Sequence, residues 1–266
     1  MRVGVVQVCA SDDLRSNLSI ARELVGEAAA QGAQLVCLPE NFAFMRREGG
    51  AFPCAQGLDG EIVGTLRDLA ARHGVWLLGG TFPERIPGST RVYNTSPLVD
   101  PAGELVAHYR KIHLFDVDLE GGGGCFRESD SFAAGDEVVV AKTGFGGVGM
   151  SICYDLRFPE LYREMAVRGA AFLTVPSAFT PHTGKDHWEI LLRARAIENQ
   201  AFVIAPAQCG QHSPDRASYG RSLVVDPWGL VLAQAGDRPG VIVCECDRDA
   251  VSRVRRAIPA LQNRRL

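Results

Sequence analysis

One cysteine stands where an apolar run meets a helix, and its position suggests nucleophilic chemistry. Residues 148–152 predict a buried strand, and Pro159 with Leu161 and Met165 at helical spacing predicts a helix. Cys153 lies between the two. A thiol there faces the free N–H groups of a turn, which lower a cysteine pKa and can bind an oxyanion. The context alone leaves two interpretations open, a nucleophile or one more small apolar residue.

Two charged residues stand at comparable positions. Glu40 closes the apolar run of residues 35–39, and Lys111 follows the strand pattern of residues 104–109. Chemistry in open α/β sheets gathers outside the carboxyl ends of the strands, so both could meet Cys153 above one sheet edge. Taken alone, Glu40 is either a salt-bridged structural carboxylate or a base with a raised pKa, and Lys111 is a surface cation.

In this order the three motifs resemble the Glu–Lys–Cys triad of the nitrilase superfamily of carbon–nitrogen hydrolases. The resemblance covers nearly the whole chain, and three ordered motifs are far more specific than one. It implies a four-layer α-β-β-α sandwich that is commonly dimeric. It also implies that Lys111 acts in catalysis. His113, two residues further on, could instead serve Cys153 as in a Cys/His protease and is a minor alternative.

The resemblance implies a further glutamate, between the lysine and the cysteine, that orients the lysine and helps to position the substrate. The Glu128-Ser129 pair resembles that motif best. Glu120, before the glycine run at 121–124, is the alternative. An exposed loop acid is the other interpretation of Glu128.

Two more residues are candidates for substrate binding. Arg157, four residues after Cys153, either binds a substrate carboxylate through its planar fork or pairs with Asp155 or Glu160. Ser177, just after the predicted strand 172–175, is also expected to bind the substrate.

The expected chemistry needs no metal and no organic cofactor. Glu40 takes the thiol proton as the sulfur of Cys153 attacks an amide carbonyl. Lys111 and the backbone N–H of Tyr154 stabilise the oxyanion, and loss of one such donor typically costs about a hundred- to a thousand-fold in rate. Protonated Glu40 then donates to the leaving nitrogen, and the same carboxylate activates the water that hydrolyses the thioester.

Two tracts, residues 187–199 and the set 207–210, 216–220 and 225–229, resemble the Nit branch, which is fused to Fhit in some animals. The activity that this implies is amidase hydrolysis of deaminated glutathione, an oxoglutaramyl-cysteinylglycine. The alternatives are an omega-amidase acting on 2-oxoglutaramate and a carbamoyl amino acid hydrolase. A catalytically silent interaction protein is a different class, and the intact triad argues against it.

The bulk properties exclude several partners. A formal net charge of -3 over 266 residues argues against nucleic acid or a polybasic membrane anchor. No run approaches the roughly 20 apolar residues of a membrane span, and the start has no signal-peptide pattern. The eight cysteines then belong in a reducing compartment, which predicts a cytoplasmic protein. The six histidines show no metal-ligand spacing.

Strand and helix patterns alternate in both halves of the chain, which predicts an α/β fold of sheets covered by helices. No linker separates the halves, so residues 1–266 are expected to form a single domain. Residues 110–135 are expected to form a long, irregular loop. The helices that follow Cys153 and Ser177 carry apolar residues that could pack in a homodimer or a higher even oligomer.

Overall fold

A computed structural model describes residues 1–47, 49–119 and 124–265. Within these residues the helices are α1 Leu14–Ala30, α2 Glu61–His73, α3 Pro159–Val167, α4 Pro181–Asn199 and α5 Asp249–Ala257. The strands are β1 Arg2–Gln7, β2 Leu35–Cys37, β3 Trp76–Leu78, β4 Phe82–Arg85, β5 Val92–Val99, β6 Leu105–Arg110, β7 Asp116–Leu119, β8 Gly124–Arg127, β9 Phe132–Ala133, β10 Val140–Thr143, β11 Gly146–Met150, β12 Ala170–Thr174, β13 Phe202–Ala205, β14 Cys209–Ser213, β15 Arg216–Tyr219, β16 Leu223–Val225, β17 Val231–Gln234 and β18 Gly240–Glu245. None of the helices in these ranges has the length and apolarity that crossing a bilayer requires.

Most of the strands belong to two mixed sheets. The first sheet runs in the order β18-β1-β2-β3-β5-β4, with β6 and β9 also paired to β5. The second runs β10-β11-β12-β13-β16-β17. In each sheet the central strands are parallel, β1 with β2 and β3 in the first and β11 with β12 and β13 in the second. Their carboxyl ends therefore meet at one edge of each sheet.

Alternating side chains of the strands build two apolar cores. In β1, Val6 belongs to the core between the first sheet and helices α1 and α2. Val3 and Val5 face the other core, which the second sheet and helices α3 and α4 complete. The layers are thus helix, sheet, sheet and helix, which is the predicted four-layer α-β-β-α sandwich.

Local signals in the sequence set the ends of the helices, an aspartate before α1 and a glycine after α2. The Asp13 side chain accepts a hydrogen bond from the Ser16 N–H and caps α1. Gly74 ends α2 in the left-handed region with φ +63°. The pattern of residues 75–82 predicts one strand, but the structure divides this segment into β3 and β4. The division falls at Gly80, which has φ +52°, a conformation that no extended strand can contain.

Residues 110–135 are only partly irregular where the structure describes them, because three short strands and a turn lie within this segment. Strands β7 and β8 form an antiparallel hairpin, a 3-10 turn follows at Glu128–Asp130, and β9 joins the first sheet beside β5. The hairpin is fixed by apolar contacts that no periodicity reveals, such as the Phe115 and Phe126 rings, whose centroids are 5.1 Å apart. Residues 206–220 likewise contain the hairpin β14–β15.

Candidate active site

Cys153 lies on a tight turn rather than directly at a helix start. Strand β11 ends at Met150, and a 3-10 turn over Cys153–Arg157 precedes α3. The cysteine has φ +48°, and its N–H donates to the carbonyl of Pro176 at 3.0 Å. A left-handed non-glycine residue is strained, and such residues concentrate at functional sites. The strain indicates that the surrounding structure fixes where the thiol points.

Glu40 follows β2 and is buried, with 3% of its surface exposed. Its loop packs so closely on the first sheet that a Cβ at Gly80 would lie 2.1 Å from the carbonyl oxygen of Pro39. In the described residues, three nitrogen donors reach the carboxylate. Oε1 accepts from the Asn94 amide at 2.9 Å and from Lys111 at 3.3 Å, and Oε2 accepts from the Ala178 N–H at 2.8 Å.

Lys111 is the cation of the cluster and is 2% exposed. Its Nζ donates to both oxygens of Glu128, at 3.0 and 2.8 Å, and to Glu40. Burial alone would lower the pKa of Lys111. The charges of Glu128 and Glu40 outweigh burial and raise that pKa, so the side chain stays an ammonium ion.

Glu128 stands on the 3-10 turn that follows the β7–β8 hairpin. Besides Lys111, its Oε2 accepts from the backbone N–H of Phe115 at 2.6 Å. The carboxylate is therefore a fixed partner of the lysine and not a free loop acid. The alternative, Glu120, lies outside the described residues.

The pKa of the Cys153 thiol is raised well above its ordinary value, contrary to the expectation from the turn. Burial is the main cause, and the negative charge of Glu40 adds to it. The charge of Lys111 and the N–H of Ala178 act in the opposite direction but do not outweigh them. At neutral pH the resting residue is thus a thiol beside a carboxylate, so attack by sulfur requires proton transfer.

Asn94, in β5, is a site residue that the sequence analysis missed. Its side-chain amide nitrogen lies 2.9 Å from Glu40 and 3.5 Å from Glu128, and its backbone carbonyl accepts the Lys111 N–H at 2.9 Å. One buried residue therefore contacts both carboxylates through its side chain and the lysine segment through its backbone. A signal was present, because residues 94–96 are three consecutive polar residues inside an otherwise apolar strand.

Asp155 is a second residue that was missed, and it joins the lysine segment to the cysteine turn. It is fully buried and accepts from the hydroxyl of Tyr109, at 2.8 Å, and from the N–H of His113, at 3.0 Å. The His113 ring also lies 2.7 Å from Asp155 and stacks on Phe158. The His113 ring is thus held by Asp155 and Phe158, and His113 is not among the residues that line the cavity around Cys153.

The remaining candidates have different surroundings. Within the described ranges, Arg157 forms no ion pair with Asp155 or Glu160; it lies beside the rings of Phe179 and Tyr154. In the same ranges no hydrogen bond engages the backbone N–H of Tyr154, which leaves it available to an oxyanion.

Ser177 differs from its expected role. It is buried, its hydroxyl donates to the Val175 carbonyl at 3.0 Å, and its backbone pairs with Ala207. It does not line the cavity, so the assignment to substrate binding is not supported by the geometry. The next residue, Ala178, contributes its N–H to Glu40 instead.

The four charged or nucleophilic groups open into one cavity of about 710 Å³, including its mouth. The cavity is walled by aromatic rings and by arginines from several loops. Its lining is Glu40, Asn41, Arg46, Phe52, Lys111, Phe115, Phe126, Arg127, Glu128, Phe132, Cys153, Tyr154, Arg157, Ala178, Phe179, Thr180, Thr183 and Arg216.

Comparison with known proteins gives one family. The model of the carbon-nitrogen hydrolase family matches residues 2–256. A deaminated glutathione amidase of Synechocystis sp. is 44% identical over 262 residues, which are 97% of this chain and 96% of that protein. The deaminated glutathione amidase of Homo sapiens is 42% identical over 267 residues, 99% of this chain and 82% of that protein.

Solved structures agree with this. Saccharomyces cerevisiae Nit3, a member of branch 10 of the nitrilase superfamily, has a TM-score of 0.90 at 32% identity, covering 100% of this chain and 97% of its own. The C. elegans NitFhit protein also has a TM-score of 0.90, at 38% identity over 99% of this chain. The chain spans 65% of the NitFhit chain.

Proposed function

Because the chain belongs to the carbon–nitrogen hydrolase family, we propose that it is an amidase whose catalytic residues are Glu40, Lys111 and Cys153, with Glu128 in support. One observation supports this most directly. A buried thiol, a carboxylate and an ammonium ion line the same cavity, and the carboxylate contacts the ammonium at 3.3 Å.

The contacts give each group a role in the proposed mechanism. Glu40 takes the thiol proton as sulfur attacks the amide carbon, and the oxyanion is stabilised by Lys111 and the Tyr154 N–H. The proton then passes to the leaving nitrogen, the C–N bond breaks and a thioester on Cys153 remains. Water, deprotonated by Glu40, hydrolyses it and restores the thiol. Glu128 keeps Lys111 charged and in place.

The proposed substrate is deaminated glutathione. The relatives named for that activity support it. The charge of the cavity also supports it, because its lining contains four arginines and two carboxylates, and both carboxylates are already paired with Lys111. Such a site favours an anionic amide. Arg157 lies on the same turn as Cys153 and has no acidic partner in the described ranges. It is proposed to bind the carboxylate of the acyl part.

The test compares kcat/KM for deaminated glutathione, 2-oxoglutaramate, a carbamoyl amino acid and a simple nitrile. Deaminated glutathione should be the best substrate, and intact mass spectrometry during turnover should find an acyl adduct that Cys153→Ala abolishes. A tenfold preference for 2-oxoglutaramate, about 1.4 kcal/mol in transition-state binding, would replace the proposal with an omega-amidase. Turnover by Cys153→Ala would refute the mechanism.

We also propose a homodimer formed through α4. Ile190, 69% exposed, and Ile197 project from this helix, and Trp228 and Leu230 are exposed on the turn that packs beside it. Neighbouring exposed apolar side chains of this kind mark interfaces. Light scattering should give twice 28.7 kDa. Ile190→Glu should yield monomer, whereas the control Ile20→Glu, on the exposed face of α1, should not.

The proposed location is the cytoplasm. All eight cysteines are free, as expected in a reducing compartment. Cell fractionation with an antibody against the native protein tests this, and recovery in an oxidising compartment would contradict it.

A further inference from the structure

The cavity arginines differ in whether an acidic partner already neutralises them. Arg127 is paired with both oxygens of Asp118, at 2.9 and 2.7 Å. Across residues 1–47, 49–119 and 124–265, neither Arg157 nor Arg216 forms an ion pair. Two uncompensated guanidinium groups thus face the same cavity. Because partial burial of an unpaired charge is costly, each is a ready partner for a ligand anion.

The two groups occupy separate places on the wall. Arg157 belongs to the turn that carries Cys153, and its nearest partners are Tyr154, Phe179 and the ring nitrogen of His187, at 3.3 Å. A carboxylate held there lies beside the turn that carries Cys153, which suits the acyl part of a bound amide, the part that stays on the cysteine.

Arg216 comes from β15, on the hairpin between β13 and β16, and contacts a different wall. Its Nη1 donates to the backbone carbonyl of Arg46 at 3.0 Å. The Arg46 guanidinium in turn stacks on the rings of Phe52, at 4.7 Å, and Phe132, at 5.8 Å. That contact fixes one end of the Arg216 guanidinium. Its other N–H groups remain for a ligand, and a fork held in this way loses little conformational entropy on binding a carboxylate.

We propose that Arg216 binds a second substrate carboxylate, the one on the amine side of the scissile bond. The inference rests on the proposed function and narrows the substrate class to amides that carry a carboxylate on each side. In deaminated glutathione these are the 2-oxo acid carboxylate of the acyl part and the glycine carboxylate of the leaving cysteinylglycine. An omega-amidase substrate such as 2-oxoglutaramate has only the first.

The experiment measures kcat/KM for wild type and Arg216→Gln on three compounds: deaminated glutathione, the same compound with its glycine carboxylate converted to a carboxamide, and 2-oxoglutaramate. Arg221→Gln is the control, because Arg221 is also half-buried near β15 but is paired with Asp237 at 2.9 Å and lies outside the cavity lining. Thermal unfolding of each variant checks the fold.

The ratio of the efficiency on deaminated glutathione to that on 2-oxoglutaramate should fall at least tenfold in Arg216→Gln and should not change in Arg221→Gln. Converting the glycine carboxylate to a carboxamide should lower the kcat/KM of the wild type by a similar factor. It should not lower the kcat/KM of Arg216→Gln further, because the two changes remove the same contact. Equal losses on all three compounds, or no loss, would overturn the subsite. Failure of the wild type to hydrolyse deaminated glutathione would instead refute the proposed function, and the subsite with it.

Discussion

Replacing Asn94 tests whether the active-site carboxylates need the amide that holds them. The residue does not line the cavity, so it makes no contact with substrate. It is 2% exposed and donates to Glu40 at 2.9 Å. Asn94→Ala should therefore lower kcat through misplacement of Glu40 and leave KM nearly unchanged.

The magnitude follows from the geometry. A hydrogen bond to a charged group is worth about 1.5–3 kcal/mol. The contact with Glu128 is at 3.5 Å and adds little, so the Glu40 bond sets the scale. If this whole amount is lost in the transition state, kcat falls about 10- to 150-fold. Asn94→Asp should lower kcat further, because a third carboxylate then faces the carboxylates of Glu40 and Glu128.

The assay is steady-state kinetics on the best amide substrate, with the free energy of unfolding from urea titration. Asn199→Ala is the matched control. Asn199 is fully buried, and within the described ranges its Oδ1 has no hydrogen-bond partner, as is true of Asn94. It lies at the end of α4, where its amide nitrogen donates to the Arg195 carbonyl at 3.0 Å.

Both alanine variants should lose stability, and only the one at position 94 should lose turnover. If Asn94→Ala keeps kcat within threefold of wild type while losing as much stability as Asn199→Ala, the amide is merely structural. The positioning argument would then be refuted.

Further predictions concern the base, the fold around it and one histidine. Glu40→Gln should lower turnover by about two to four orders of magnitude, and His113→Asn much less; the reverse ranking would favour a Cys/His mechanism. Gly80→Ala should destabilise the fold and depress activity together, since its Cβ meets a backbone carbonyl; a stable, fully active variant would contradict the close contact. Burial, opposed by a hydrogen bond to Ala10, lowers the His212 pKa. Below about pH 6.5 the unfolded chain therefore binds more protons than the folded chain, so the free energy of unfolding should decrease as the pH falls. This decrease should be smaller in His212→Gln.

Some of the site could be predicted from the chain because strand ends carry local signatures. Strand ends at Glu40, Lys111 and Cys153, together with the family resemblance, predict the three side chains, and the structure places them in the lining of one cavity. Helix boundaries were equally local, fixed by an Asp13 cap and a left-handed Gly74. The four-layer fold class followed from the alternation of strands and helices together with the family resemblance.

Other features depended on contacts between distant residues. Asn94 reaches Glu40 across 54 positions, and the Asp155 carboxylate reaches Tyr109 across 46, so no spacing rule reveals either bond. Ser177 was predicted to contact the substrate because a strand-end hydroxyl looks available in sequence, whereas in the fold that hydroxyl donates to the backbone carbonyl of Val175.

The sequence by itself, through residue type, strand ends and a family resemblance, determined which side chains are candidates for the chemistry. Tertiary structure alone decided their protonation. The position after a strand suggests a thiol of low pKa, but burial and the charge of Glu40 raise the pKa of Cys153, and two carboxylates raise that of Lys111 against the effect of burial. The electrostatic free energy of a group depends on every charge and dipole packed around it, and those neighbours are assembled only when the two sheets meet.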